Sequence, residues 1–206
     1  MDLHVPEGPI RSIKDFLLHI VIVTIGILIA LGLEQLVEGH HRARLAHEAV
    51  EGFRRELTSD TADLKEVLAS NPRVRQKIAD WIVDLSSASP HEMDDYPAIH
   101  FNPMATASWD TAMATQALSE LPYERAHLYA VTYDFLRIFV DVQRRGLSDW
   151  QDLHVYGKDP AGMTPEQRRS LIERLRRYES DLDVIESAGR DVLEASQNAL
   201  GDKPHA

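Results

Sequence analysis

The chain has 206 residues, with 22 Lys and Arg against 33 Asp and Glu, a formal net charge of −11. That balance offers no electrostatic footprint for nucleic acid and repels anionic lipid headgroups unless the charge is sided. Cysteine is absent from the sequence, which excludes disulfides, thiol catalysis and Cys-type zinc or iron–sulfur centres.

Residues 1–15 carry Pro6, Gly8 and Pro9 and read as a short tail. Phe16 through Leu33 (FLLHIVIVTIGILIALGL) then holds no formal charge. At 1.5 Å per residue this run reaches about 27 Å, close to the roughly 30 Å hydrocarbon core of a bilayer. Extension through Leu36 and Val37 gives a transmembrane anchor over 16–37, with the lipid bilayer as its partner. A cleaved signal peptide is the competing reading, since Arg11 and Lys14 form a basic flank and Ala30-Leu31-Gly32 resembles a cleavage site. Against it, the run is long for that role, and a helical pattern passes straight through the site into Glu34-Gln35-Leu36-Val37. A buried core helix is the third option, though such helices are usually shorter. Gly26 and Ala30 form a small-xxx-small pair that permits close helix contact in lipid.

Past the anchor the apolar positions thin to a heptad: Leu36, Ala43, Val50, Leu57 and Leu64, with Ala46, Phe53 and Val67 on the same stripe. This predicts a long amphipathic helix to about Ser70, continuous with the anchor and weakened at Gly39. Asn71-Pro72 reads as a helix restart, with Asn as N-cap and Pro at the first position. Val74, Ile78, Trp81 and Leu85 follow at 4-3-4 spacing. Residues 86 to about 106 read as an irregular loop containing Pro90, Pro97 and Pro103, of a length that marks a functional or mobile segment.

A short helix is expected from Ser108 to Leu118, ending before Pro122. The next helix carries two apolar stripes, Tyr129/Tyr133/Leu136/Val140 and Leu128/Val131/Phe135/Ile138/Val142, the pattern of a central element buried on two sides. Gly146 is expected to end it, with Ser148 capping a short helix that bears Trp150 and Leu153. Thr164-Pro165-Glu166-Gln167 is a capping box. The helix it opens has the cleanest heptad: Leu171, Leu175, Tyr178, Leu182, Ile185, Gly189, Val192, Ser196 and Ala199, stopped by Gly201 and Pro204. No segment alternates with period two. The expected fold is all-α, a transmembrane helix continuing into an antiparallel helical bundle over 38–200, with a tail at 201–206.

The run Ile22-Val23-Thr24-Ile25-Gly26-Ile27-Leu28-Ile29-Ala30-Leu31, followed by an amphipathic helix, resembles the start of a family of uncharacterised bacterial single-pass membrane proteins. Ser108-Trp109-Asp110-Thr111-Ala112 through Leu118, then a helix with Tyr129 and Tyr133, is similar to that family's second recurring region. The resemblance implies a bacterial membrane protein, no known activity, and no functional residues to carry over.

Glu-x-x-His occurs twice, as Glu38/His41 and Glu124/His127. Di-iron carboxylate bundles use two such pairs because i, i+3 spacing points both ligands inward. Composition alone also yields such spacings. His40, His41 and His47, with Arg42 and Arg44, read either as a metal or pH-sensing cluster or as a polar collar near headgroups. His91, Asp94, Asp95 and His100 make a third set, within the long loop. Trp81, Trp109 and Trp150 read as core anchors. The sequence holds no nucleophile elbow, P-loop or dinucleotide fingerprint.

These features point to a membrane-tethered, non-enzymatic helical module that binds a protein partner or self-associates, with no cofactor and no nucleic acid. The basic residues Arg11 and Lys14 before the apolar run, against Glu34 and Glu38 after it, orient it with the N-terminus inside and the C-terminal domain extracytoplasmic. A Glu/His metal enzyme or sensor, and a ligand sensor with the loop as lid, are the alternatives.

Overall fold

The computed structural model describes residues 13–91, 100–156 and 159–201. Among them there is no strand; the elements are α1 (Ile13–Leu85), α2 (Ala107–Ala114), α3 (Tyr123–Leu153) and α4 (Pro165–Gly201), with short 3-10 turns at Ala117–Glu120, His154–Tyr156 and Pro160–Gly162. The chain divides into two units, Met1–Leu45 and Ala46–Ala206, and α1 contributes to both. In the first unit the described residues are all helical, and every one except Gly39 and Leu45 is exposed.

In the second unit α1 buries Ala46, Val50, Phe53, Leu57, Asp60, Leu64, Val67, Asn71, Val74, Ile78, Trp81 and Leu85, in strictly alternating steps of four and three. The expected α4 heptad is buried throughout, from Leu171 to Ala199. A mean step of 3.5 residues keeps a seam on one side of a helix, the geometry of coiled-coil packing. The capping box forms as its residues require. The Thr164 hydroxyl accepts from the Gln167 backbone N–H at 3.2 Å, and the Gln167 side chain accepts from the Thr164 N–H at 2.8 Å.

Ring contacts and apolar clusters set the helix directions. Phe53 lies 4.7 Å from Tyr129 and 5.6 Å from Tyr133, ring centroid to centroid, which joins the early turns of the α1 seam to those of α3. At the other end Leu85 and Leu153 share one apolar cluster. α1 and α3 are therefore parallel, because the segment after α1 carries the chain back to the level of Phe53. α4 runs antiparallel to both. Its Leu171 and Leu175 sit in the Leu85/Leu153 cluster, whereas the Ala195 carbonyl accepts a bond from the Thr132 hydroxyl at 3.2 Å. α4 meets both other helices closely at Gly189. A Cβ there would lie 3.0 Å from Leu68 Cδ2, 3.1 Å from Leu64 Cδ1 and 3.3 Å from Phe139 Cε2.

Four expectations are corrected. Asn71-Pro72 does not start a new helix; Pro72 lies inside α1. An interior proline leaves the carbonyl of Leu68 without its helical donor and costs about 3 kcal/mol. Burial of Val67, Val74 and Ile78 on either side, at roughly 1.5–3 kcal/mol per large apolar side chain, outweighs that cost. Gly146 likewise does not end α3; it is itself buried, and the helix continues to Leu153. The expected Ser108–Leu118 helix is two pieces, broken at Gln116, whose φ of 57° is left-handed. Lastly, of the two α3 stripes the second is buried only at Val142. Tyr129, Tyr133 and Leu136 are fully buried, but Leu128, Val131 and Phe135 are only half-buried, and Ile138 is 53% exposed.

Candidate functional site

Among the described residues, the apolar helix of the first unit is exposed along its length. Ile20, Ile22, Ile25, Ile27, Leu28, Ile29 and Leu31 are all exposed, and none of its most apolar window is buried. A core helix of a water-soluble domain would bury that window. A Cβ placed on Gly26 meets nothing within 4 Å, so the Gly26/Ala30 pair lies on open helix surface.

Inside the second unit, α1 carries two carboxylates toward α2 and α3. Glu56 accepts from the Ser108 backbone N–H at 2.9 Å with one oxygen and from the Tyr133 hydroxyl at 2.7 Å with the other. Trp109 stacks on Tyr133 at 5.2 Å and meets Phe53 at 5.8 Å. Ser108 comes so near α1 that its Oγ would stand 3.1 Å from a Cβ on Gly52. Asp60, one turn on and only 4% exposed, accepts from the Ala105 N–H at 3.2 Å. Its second oxygen is buried with no hydrogen-bond partner among the described residues, as is the Tyr129 hydroxyl.

Electrostatics follow from this burial. Desolvation pushes the Asp60 carboxyl up to about 6; the Ala105 bond opposes the shift, and the neighbouring carboxylates of Glu56 and Asp63 add to it. Burial also pushes the Tyr133 phenol well above its ordinary range, reinforced by its bond to Glu56. The Ser108 and Ala105 bonds hold α2 and the chain leading into it against α1, and the Tyr133 bond ties α3 to the same carboxylate as Ser108. The arrangement is a clamp that brings Ser108, Trp109, Tyr129 and Tyr133 together.

A second feature lies between α3 and α4. A groove of about 220 Å³ is lined by Leu128, Val131, Thr132 and Phe135 from α3 and by Asp191, Glu194, Ala195 and Asn198 from α4. One wall is apolar and the other anionic.

The residues singled out for metal chemistry are placed as follows. Glu38 is exposed and pairs with Arg42 at 3.7 Å; His41 is exposed on the same helix, as are His40 and His47. Glu124 and His127 are exposed on the first turns of α3, with the His127 ring stacked on Tyr123 at 5.9 Å. Among the described residues no three His, Asp or Glu side chains converge as a metal site. His91 lies 2.9 Å from Asp84 and holds that carboxyl below its usual range. Asp94 and Asp95 lie outside the described residues, and His100 is exposed. Trp81 and Trp109 are buried anchors, and Trp150 is half-buried beside His154 at 4.3 Å.

Glu56 and Asp60 were not singled out from the sequence, although Asp60 carries a legible signal. It occupies a core step of the stripe, between Leu57 and Leu64, where an apolar residue is expected. Fold and surfaces together define an all-α chain with, among the described residues, one helix long and apolar enough to cross a membrane, near its N-terminus. Comparisons with protein-family models, curated proteins and solved structures find no match.

Proposed function

We propose that this chain is a single-pass membrane protein whose helical bundle engages another protein without catalysing a reaction. The observation that carries the reading is the first unit's helix, apolar through its membrane-length window and exposed throughout it. Such a surface is stable only in lipid or against another apolar helix. The half-covered α3 stripe supports the interaction role, because a bundle with no partner has no need of an apolar margin beside an anionic wall. The resemblance of the apolar run to bacterial single-pass proteins supports the inner membrane as the site of action, and the charge asymmetry around that run supports an extracytoplasmic bundle.

Two measurements test it. The full-length protein should stay in the membrane fraction through alkaline carbonate and high salt, and a C-terminal alkaline phosphatase fusion should be active. Release by washing, or a mature N-terminus near Leu33, overturns the anchor; an inactive phosphatase fusion with a bright fluorescent-protein fusion overturns the orientation. Cross-linking in native membranes should then trap a second protein on the bundle, and its absence overturns the interaction role.

A further inference from the structure

We infer that the α3–α4 groove receives a basic amphipathic helix of another protein. The inference rests on the interaction role proposed above and names the surface and chemistry of the partner. Along α3 the stripe Leu128, Val131, Phe135 and Ile138 steps by three and four residues and is half-buried to exposed. It extends about 15 Å at 1.5 Å per residue, the length of roughly three helical turns. An incoming helix with apolar residues at i, i+3 or i+4 and i+7 matches that spacing.

Charge selects among the occupants. Asp191 and Glu194 form the facing wall, both are exposed, and no Lys or Arg lines the groove. A cationic flank on the incoming helix satisfies them, and a chain of net charge −11 favours a basic partner at long range. A second copy of this chain fits less well than a basic partner, because it carries the same net charge of −11. Anionic lipid is repelled by the same wall.

The test uses full-length protein in nanodiscs of zwitterionic lipid, with empty nanodiscs subtracted. Two fluorescein-labelled helical peptides of about three turns serve as probes, one with Leu and Lys faces and one with Leu and Glu faces. The Lys peptide should bind, the Glu peptide should bind at least about tenfold more weakly, and raising salt should weaken the Lys peptide. The double substitution Asp191→Lys, Glu194→Lys sits on exposed positions and should leave the melting temperature unchanged while weakening Lys-peptide binding at least about tenfold. Equal binding of both peptides, no effect of the double substitution, or cross-links joining two copies through the groove overturns the inference. A partner trapped on wild type and equally on the double variant also overturns it while leaving the interaction role standing. No trapped partner on wild type defeats that role itself.

Discussion

Glu56 and Ser108 are joined by a 2.9 Å hydrogen bond, so α2 starts on a cap supplied by a different helix. Thr106, at the N-cap position, provides none; its hydroxyl bonds Asp110 at 3.1 Å instead. Glu56→Ala removes this bond and the one from the Tyr133 hydroxyl together, leaving a fully buried residue's phenol unpaired. The expected loss is about 2–4 kcal/mol in chemical denaturation, with a changed Trp109 fluorescence. Tyr133→Phe removes only one bond and should cost about 1 kcal/mol. A Glu56→Ala variant as stable as wild type shows that α2 docks through its aromatic contacts alone.

Asp60 makes stability depend on pH in a direction unusual for an aspartate. Its folded-state value of about 6 stands above the ordinary 3.8, so the folded chain holds the proton more tightly than the unfolded chain. Well below pH 3.8 both states are protonated and nothing is lost. Between about pH 4 and 6 the unfolded state ionises first, and stability falls as pH rises, by on the order of 2–3 kcal/mol in all. Asp60→Asn should therefore raise the melting temperature at pH 7.5 and change it little at pH 4. An equal shift at both values shows that ionisation is not the cause.

Gly189 and Gly39 should respond oppositely to side chains. Gly189→Val must push aside Leu64, Leu68 and Phe139 and is expected to cost about 1–3 kcal/mol. Nothing lies within 4 Å of a Cβ on Gly39, so Gly39→Ala should gain up to about 1 kcal/mol of helix propensity. Circular dichroism melts of the two variants check the contrast, which fails if Gly189→Val is neutral.

Pro72 is exposed on a helix that continues past it. Pro72→Ala restores a backbone N–H to the turn and should stabilise the protein by about 1–3 kcal/mol. A loss of stability on that substitution shows that the backbone restriction imposed by the ring is needed by the α1 packing.

Periodicity carried most of the fold. The α4 seam from Leu171 to Ala199 and the α1 seam from Ala46 to Leu85 read directly, because a buried helical face repeats in sequence. Pro72 and Gly146 misled because local penalties of about 1–3 kcal/mol look decisive until the burial around them is known. Helix pairing was not legible at all: a stripe states which side is buried and not what covers it. The second α3 stripe shows the same limit, since Phe135 and Ile138 resemble core residues in sequence and yet are only half-buried and exposed, respectively. The Glu56–Ser108 clamp depends on residues 52 positions apart and leaves no trace in local spacing.

The parallel pairing of α1 and α3 has a consequence for synthesis. α1 emerges from the ribosome long before the helices that cover its seam; the Tyr133 hydroxyl that Glu56 accepts is 77 residues later, and the Asp183 carboxylate that receives Arg75 is 108 later. At roughly 5–20 residues per second those gaps leave the seam uncovered for about 4–20 s. α4 begins at Pro165, shortly after α3 ends at Leu153, so α1 is the segment that waits longest for its partner helices. Asp60 and Asn71 cut its seam into shorter apolar stretches during that interval. The two buried polar positions that most strain the finished seam are thus also the ones that keep it from being a single unbroken apolar stripe while it waits.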